Sequence, residues 1–416
     1  MGISEAVSHY KEFDRRIWVL FFSQLTVATG FSVVLPFLAI YFHEGMGVPM
    51  SLVGTVFLVG ASMVALGSVI GGEVSDRVGR RKVMLLAIGS RAVAFTLVAL
   101  VIMTDPNFLA ISALVVVSWL VGSLYEPAAN AMIADVVEPG KRMETFGFLR
   151  VGANIGWGLG PMLGGFLAAA SYSSLFLLTA VTCAISAVMV ALWINESIGG
   201  TSVKARFTLS DLASVRKDRV FTLFCLTSLV LFLAISQMSS TFSVFAKGTV
   251  GLAEVQIGYL YSINGGMVAL LQIPAARAMS RFRITRMLIL GALVYAGGYF
   301  LVGFAEGFAL LAMCMITITA AEIMVSPSSM NLVANLSPDE SRGRYMGVFT
   351  FFTASGWAAG PFIGGLLIDG LVGLPVLLWG LVACFGILGA MGYTLLGRRM
   401  PWQVNRSLAE LADGNG

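Results

Sequence analysis

The chain has 416 residues, of which 57% are hydrophobic and only 12% are charged, and its mean hydropathy is +0.88. So few charged residues leave no room for a large soluble domain, and the composition is that of an integral membrane protein. The net charge of +4 does not indicate nucleic-acid binding, because the positive residues lie between apolar segments, where they can face anionic lipid head groups.

Twelve apolar segments follow one another along the sequence. A helix needs about 20 residues to cross the hydrocarbon core of a bilayer, and each segment is long enough to do so. The segments are far too long for the strands of a membrane barrel, so we predict twelve transmembrane helices. They run approximately over residues 17–42, 52–73, 83–103, 108–134, 144–170, 174–194, 219–246, 255–279, 286–304, 308–334, 343–369 and 374–396.

The positive charges lie on alternate sides of these segments. All but three of the 26 Lys and Arg residues are at the two termini or in loops on the same side. Of the exceptions, Arg91 and Arg150 lie within segments, and only Lys247 lies on the other side. By the positive-inside rule we predict a multi-pass protein of the cell membrane with both termini in the cytoplasm. The polar start precedes a full-length segment, so we expect no cleaved signal peptide.

The loop between segments 2 and 3 has the sequence GEVSDRVGRRK over residues 72–82. This pattern resembles the signature loop of the major facilitator superfamily. We expect Gly72 to permit close approach of helices and Gly79 to form a tight turn. Asp76 is an acid at the C-terminal end of a helix, where the helix dipole disfavours it, so it needs a partner from elsewhere.

The resemblance implies a gate on the cytoplasmic side. In the family, the partner of Asp76 includes the N-terminus of helix 11, and this contact holds the two halves closed. Asp135 resembles a further acid that pairs with the loop arginine, which here is Arg80. The residues that the resemblance assigns to this gate are Gly72, Asp76, Arg77, Gly79, Arg80 and Asp135.

Three ionisable side chains lie well inside predicted segments, namely Arg91, Glu126 and Glu322. An ionised group at the bilayer centre costs about 2.5–3.5 kcal/mol on insertion scales, so such residues usually serve a function. A carboxyl group in an apolar environment takes up a proton more readily than in water, as a proton carrier must. We therefore consider all three as candidates for proton coupling.

Arg91 and Glu126 are predicted to lie at one depth. Arg91 follows Lys82 by nine residues, and Glu126 precedes Asp135 by nine. At about 1.5 Å per residue, each lies about 13 Å from the cytoplasmic surface. Two interpretations stay open for Glu126: it carries protons, or it forms a static ion pair with Arg91 that holds segments 3 and 4 together. Glu322 has no obvious basic partner, which favours a proton carrier.

The sequence contains an internal repeat. Residues 126–165 align with residues 326–365 at a constant offset of 200, and a second stretch aligns at an offset of 204. The repeat places Glu322 at the position of Gly122, one turn from Glu126, so the two carboxylates could face each other. Parallel repeats of this kind are a known plan of secondary transporters. We predict an all-α membrane protein of twelve transmembrane helices in two pseudo-symmetric six-helix bundles, the major facilitator fold.

The repeat also defines the predicted domains. The N-terminal bundle is assigned to residues 1–194 and the C-terminal bundle to residues 219–400. A polar cytoplasmic linker, with a short surface helix near 207–215, is assigned to residues 195–218, and a polar cytoplasmic tail to residues 401–416.

A glycine-proline motif occurs in segment 5 and again in segment 11. It resembles a motif described in the antiporter branches of the superfamily. Small residues four apart let a neighbouring helix approach closely, and the proline adds a kink. We expect these faces to meet helices 8 and 2 between the halves, although the duplication leaves a plain packing role open. The motif residues are Gly156, Gly160, Pro161, Gly164, Gly356, Gly360, Pro361 and Gly364.

The resemblance covers the whole chain and is to the twelve-helix drug:proton antiporter family. One departure concerns an arginine that the family usually carries in helix 4, four residues before a glycine. Here Ser118 stands at that position, before Gly122. Either Arg91 in segment 3 supplies the charge, or proton coupling differs.

We predict a secondary active transporter that exports hydrophobic or amphipathic small molecules by alternating access, in exchange for protons. A lipid or glycolipid flippase and an uptake symporter of the same superfamily are the alternatives. An enzyme is not expected, because the sequence contains no nucleophile–base constellation, and neither a cofactor other than the proton gradient nor a metal site is expected. We expect a monomer in the lipid bilayer. Candidate residues for the substrate cavity are Gln24, Asn154, Gln237 and Asn264.

Overall fold

The computed structural model describes residues 14–138, 141–197, 218–338, 341–400 and 405. Six helices form the first half of this part of the chain. The last five residues of the first helix, Tyr41–Gly45, form a π-helical turn. The helices are α1 (Arg15–Gly45), α2 (Met50–Val78), α3 (Arg80–Thr104), α4 (Phe108–Val136), α5 (Arg142–Ala170) and α6 (Tyr172–Trp193).

Six further helices form the second half. They are α7 (Arg219–Gly248), α8 (Glu254–Met279), α9 (Ile284–Val302), α10 (Phe308–Leu336), α11 (Arg342–Gly370) and α12 (Pro375–Arg399). Each of the twelve corresponds to one predicted segment. Within the described residues, ten are long and apolar enough to cross a membrane. The other two, α5 and α8, contain several glycines and polar residues, which lower their mean hydropathy.

Two helices are interrupted in ways that the sequence did not indicate. Helix α4 breaks at Ser123 and Leu124, just before Pro127. Proline has no N–H and clashes with the carbonyl group four residues earlier, here that of Ser123. Helix α7 is interrupted by the 3₁₀ turn Ser236–Ser239. By contrast, Pro327 of the repeat lies inside a continuous helix.

The glycine face of α5 packs on α1. A carbon atom added at Gly156 would lie 2.6 Å from the carbonyl oxygen of Leu25, and one at Gly160 would lie 2.8 Å from that of Thr29. The face continues at Gly164, so glycine is needed along the whole contact. The expectation that this face meets helix 8 is therefore wrong, because its small residues are used to bring α5 against the first helix of its own half.

Helix α11 repeats this arrangement against α7. Carbon atoms added at Gly356 and Gly360 would lie 2.5 Å and 3.0 Å from the carbonyl oxygens of Leu229 and Leu233. The side chains of Ser32 and Ser236 occupy equivalent places beside Gly160 and Gly360. The face formed by Gly356, Gly360 and Gly364 therefore meets α7 rather than helix 2. Helix α11 does contact the start of α2, but through the backbone of Pro361 on another face. The two halves are thus built by the same packing, as the repeat predicts.

The chain divides into two compact units. Unit 1 comprises Met1–Phe37 and Val59–Ser202, and unit 2 comprises Leu38–Leu58 and Val203–Gly416. These units differ from the predicted bundles in one segment, residues 38–58, which packs with the second half. The predicted linker helix lies outside the described residues, as does the tail except for Asn405.

Segment 38–58 joins unit 2 through close backbone contacts with α11. A carbon atom added at Gly54 would lie 2.5 Å from the carbonyl oxygen of Pro361. Asp369, near the end of α11, accepts hydrogen bonds from the backbone N–H of Met50 at 2.9 Å and of Ser51 at 2.8 Å. Its carboxylate thus satisfies N–H groups at the start of α2, which have no partner within their own helix.

Candidate functional site

The carboxylate of Glu322 lies within unit 2, near the middle of α10. Its Oε2 atom accepts a hydrogen bond from Nδ2 of Asn264 on α8 at 2.8 Å, and the same nitrogen donates to Oγ1 of Thr319 at 3.0 Å. No cation in the described part of the chain forms an ion pair with Glu322. Because its polar partners are neutral, the carboxyl group can gain or lose a proton without breaking an ion pair.

Aromatic side chains of α9 and α12 surround this site on one side. Tyr295 and Tyr299 are buried on α9, which packs against the helix that carries Glu322. The ring of Tyr299 stacks on Trp379 with centroids 5.7 Å apart, and its hydroxyl donates to the carbonyl oxygen of Ile235 at 3.2 Å. The carboxyl group therefore lies in a largely apolar environment whose rings are fixed by packing.

Glu126 differs from Glu322 in its surroundings. It is exposed on unit 1, in the first turn after the break in α4. Among the residues that the structure describes, no ion pair joins Glu126 to Arg91. The alternative of a static pair is therefore wrong, because the guanidinium group of Arg91 is directed elsewhere.

Arg91 lies against the part of α4 where the family usually carries an arginine. Its Nε donates to the carbonyl oxygen of Ser118 at 3.3 Å, and its guanidinium carbon lies 5.5 Å from the centroid of the Phe31 ring. A side chain at Gly122 would collide with the guanidinium group. An arginine from α3 thus occupies the space beside Ser118 and Gly122.

The predicted cavity residues have three different environments. Asn264 is part of the Glu322 site, Gln24 is half-buried on α1, and Asn154 is exposed on α5. Gln237 is fully buried, and its assignment to a cavity is wrong. Its amide nitrogen donates to the carbonyl oxygens of Leu233 at 2.8 Å and Gly360 at 2.9 Å, so it serves the interrupted part of α7.

Arg80, the first residue of α3, joins the end of α2 to the end of α4. It forms an ion pair with Asp76, and its Nε donates to the carboxylate of Asp135 at 3.3 Å. Arg80 is only 7% exposed and the Asp135 side chain is 20% exposed, whereas the Asp76 side chain is 52% exposed, so only the pair with Asp135 is largely shielded from solvent. The partner of Asp76 in the structure therefore lies four residues away, on the next helix. The neighbouring Arg77 pairs with Glu73.

The glycines of the loop sequence over residues 72–82 have unequal roles. Gly79 has a φ of +116°, a conformation that L-residues with a side chain rarely adopt. A carbon atom added at Gly72 would meet no atom of another helix within 4 Å, so the expected role of Gly72 in close helix approach is wrong. Instead, Gly60, Gly67 and Gly71 face α4. Their spacing of seven and four residues is that of one helix face.

Sequence reasoning missed Glu196, which follows α6. Its carboxylate accepts hydrogen bonds from the backbone N–H of Arg81 at 3.0 Å and of Lys82 at 3.4 Å. It thus satisfies donors in the first turn of α3, where a negative charge is also favoured by the helix dipole. The available signal was an acid directly after the C-terminal end of predicted segment 6, on the same side of the membrane as the start of segment 3.

Residues 20–361 and 245–412 match the family model of the Major Facilitator Superfamily. The chain belongs to this superfamily. It is accordingly a multi-pass membrane protein and a secondary transporter rather than an enzyme.

The relatives of this transporter bear names that differ in the function they state. A Na(+), Li(+), K(+)/H(+) antiporter of Planococcus maritimus is 27% identical over 367 residues, which are 80% of this chain and 85% of the relative. Multidrug resistance protein MdtH of Yersinia enterocolitica is 26% identical over 399 residues, 95% of this chain and 96% of the relative. The uncharacterised MFS-type transporter YqjV of Bacillus subtilis is 24% identical over 408 residues, 97% of this chain and 98% of the relative.

Solved structures support the same fold. The nucleoside transporter NupG matches with a TM-score of 0.79 and 15% identity, over 93% of this chain and 100% of that chain. The peptide transporter POT in complex with sulfate matches with a TM-score of 0.74 and 15% identity, over 94% of this chain and 95% of that chain. At these identities the likeness concerns the fold alone.

Proposed function

We propose that the protein is a proton-coupled antiporter of the cell membrane that exports hydrophobic or amphipathic small molecules by alternating access. Both termini would lie in the cytoplasm, as the distribution of Lys and Arg favours. Similarity to a multidrug resistance protein and to a cation/proton antiporter over most of the chain supports this proposal. The proton gradient would be the only energy source.

The observation that carries the proposal is the environment of Glu322. An ionised acid inside an apolar membrane helix costs free energy, so an acid at such a position usually serves a function. Its amide partner, Asn264, can donate to the ionised carboxylate through Nδ2 and can accept from the protonated acid through Oδ1. Such a partner accommodates both states, which an exchange of protons requires.

The test is transport into proteoliposomes under an imposed pH gradient, with a panel of hydrophobic dyes as cargo. Glu322→Gln keeps the shape of the side chain and removes its titration, so we expect pH-driven transport to fall at least tenfold. Glu306→Gln is the matched control, because Glu306 is an exposed acid in the turn between α9 and α10. Full pH-driven transport by Glu322→Gln at matched protein levels would refute the role of this acid.

A second candidate function is exchange of alkali cations for protons. The Glu322 site offers a carboxylate, an amide oxygen and a hydroxyl oxygen, and hard cations prefer oxygen ligands. Similarity to the Na(+), Li(+), K(+)/H(+) antiporter of Planococcus maritimus supports this candidate. Proteoliposomes loaded with Na⁺ or K⁺ and a pH-sensitive dye distinguish the two, because only cation exchange releases protons without any organic cargo.

A further inference from the structure

Arg91 uses only part of its hydrogen-bonding capacity. It lies near the middle of α3, half-buried, and its Nε donates to the carbonyl oxygen of Ser118 at 3.3 Å. Its two Nη nitrogens form no hydrogen bond or ion pair with any residue that the structure describes. Guanidinium nitrogens carry five N–H donors in total, so four point away from this contact.

Aromatic rings form one wall beside this cation. The guanidinium carbon lies 5.5 Å from the Phe31 centroid, within the range of a cation–π interaction. The Phe31 ring lies 5.8 Å from both Trp119 and Trp157. Trp119 is 5% exposed, whereas Trp157 is 43% exposed, so the wall is anchored at one end and open at the other.

The absence of a side chain at Gly122 leaves the space that the guanidinium group of Arg91 occupies. A side chain there would occupy the position of the Arg91 head group. The arrangement is therefore built by packing, since the absence of a side chain on α4 creates the space that an arginine on α3 fills.

A positive charge inside an apolar helix is stabilised by an anion, and none of the described carboxylates supplies one. A carboxylate fits the two Nη nitrogens of a guanidinium group in a bidentate fashion. A planar ring attached to that carboxylate can stack on Phe31 and the exposed face of Trp157. We propose that Arg91, Phe31 and Trp157 form a binding subsite for aromatic carboxylates. The inference rests on the proposed function, because it names one class within its amphipathic cargo.

The test is equilibrium binding to the full chain in nanodiscs of phosphatidylcholine, with 2-naphthoate as the probe. The neutral isostere 2-naphthamide is the matched ligand. Hydrogen bonds to charged groups correspond to about a tenfold to hundredfold gain in affinity, so we expect the acid to bind at least tenfold more tightly than the amide. Equal affinities of the wild-type protein for the two ligands would overturn the proposal.

Variants identify the residues responsible. We expect Arg91→Gln to remove the preference for the acid and Arg91→Lys to leave part of it. Gly122→Val keeps every charge but displaces the guanidinium group, so the preference should fall as well. Trp157→Ala should weaken both ligands equally. Arg150→Gln, at an exposed arginine of α5 in the same unit, is the control and should change nothing.

Folding is checked in each variant by thermal unfolding, and Gly122→Val and Arg91→Lys keep the test decisive should Arg91→Gln not fold. A preference for the acid that survives Arg91→Gln or Gly122→Val would overturn the assignment. The assay contains no gradient and no transport step. The preference of the wild-type protein for the acid tests this subsite alone, whereas pH-driven transport by Glu322→Gln tests proton coupling, so failure of one is distinguishable from failure of the other.

Discussion

A polar side chain inside a membrane helix can serve structure as fully as it serves transport, and Gln237 is the example. Its amide joins α7 to α11 and also accepts a hydrogen bond from Thr241 at 2.6 Å. The interruption of α7 explains the need, because a broken helix leaves backbone groups that the regular pattern would satisfy. Asn264 has the same side-chain chemistry one methylene shorter, yet its partner is an ionisable acid. Chemistry alone did not separate these roles in the sequence, whereas burial and partners do.

We expect Gln237→Leu to lower the free energy of unfolding by about 1–3 kcal/mol, because it removes hydrogen bonds from a fully buried group. The measurement is thermal unfolding in detergent followed by tryptophan fluorescence. Gln24→Leu is the control, since Gln24 is half-buried and forms no hydrogen bond with the described residues. Equal losses in the two variants would show that the buried network of Gln237 contributes no special stability.

The glycine faces of α5 and α11 determine which helices these two pack against. Gly160→Leu would push a branched side chain into Ser32 and the backbone of α1. Overpacking of this kind typically costs 1–3 kcal/mol and often more where the obstacle is backbone. We therefore expect a loss of thermal stability and of folded protein, rather than a well-folded protein trapped in one conformation.

Gly147→Leu is the matched control on the same helix. No atom lies within 4 Å of the carbon that this substitution adds first, and leucine has a higher helix propensity than glycine. We expect this variant to unfold at the wild-type temperature or above. If Gly160→Leu were equally stable, α5 and α1 could not be packed through this face.

Asp369 gives a prediction for the start of α2. Asp369→Ala leaves the N–H groups of Met50 and Ser51 without their carboxylate partner, a loss comparable to that of a helix cap, about 1 kcal/mol. We expect backbone hydrogen exchange in the first turn of α2 to accelerate about fivefold. The first turn of α10 serves as the internal reference, and Asp105→Ala, at an exposed acid after α3, as the control variant. Unchanged exchange at Ser51 would contradict this role.

The sequence was sufficient for the helices and insufficient for their interruptions. Runs of about 20 apolar residues predict spans directly, since the bilayer leaves few alternatives. The break in α4 could not be read from Pro127, because Pro327 in the repeat leaves α10 intact. Likewise, the motif at Gly160 predicted a close contact but not its partner, which depends on the packing of the whole half. Glu196 was missed because its role depends on a neighbouring helix.

For the whole molecule, duplication explains the packing, whereas the chemistry differs between the halves. Helix α3 packs against α4 and α6, and α9 packs against α10 and α12, as equivalent helices of a repeat should. Yet the repeat sets Gly122 against Glu322. In the first unit this position has no side chain, and the guanidinium group of Arg91 occupies the space beside it. In the second unit the same position carries the carboxyl group of Glu322.

This asymmetry predicts two separable tasks. We expect Glu322→Gln to flatten the pH dependence of transport while binding of 2-naphthoate stays intact, because the titrating group is lost and the cation remains. We expect Arg91→Gln to raise the KM for aromatic acids about tenfold or more while the pH profile keeps its shape. The measurement is transport in proteoliposomes at a series of pH values from mildly acidic to mildly alkaline.

The double variant decides whether the tasks are independent. If each half performs its own task, the effects on KM and on the pH profile should combine without further loss, as they do for independent sites. A pH profile that changes in Arg91→Gln alone would mean that the cation takes part in proton coupling. Arg91 and Glu322 would then contribute to one coupled process, although they lie at equivalent positions of the repeat in different halves of the chain.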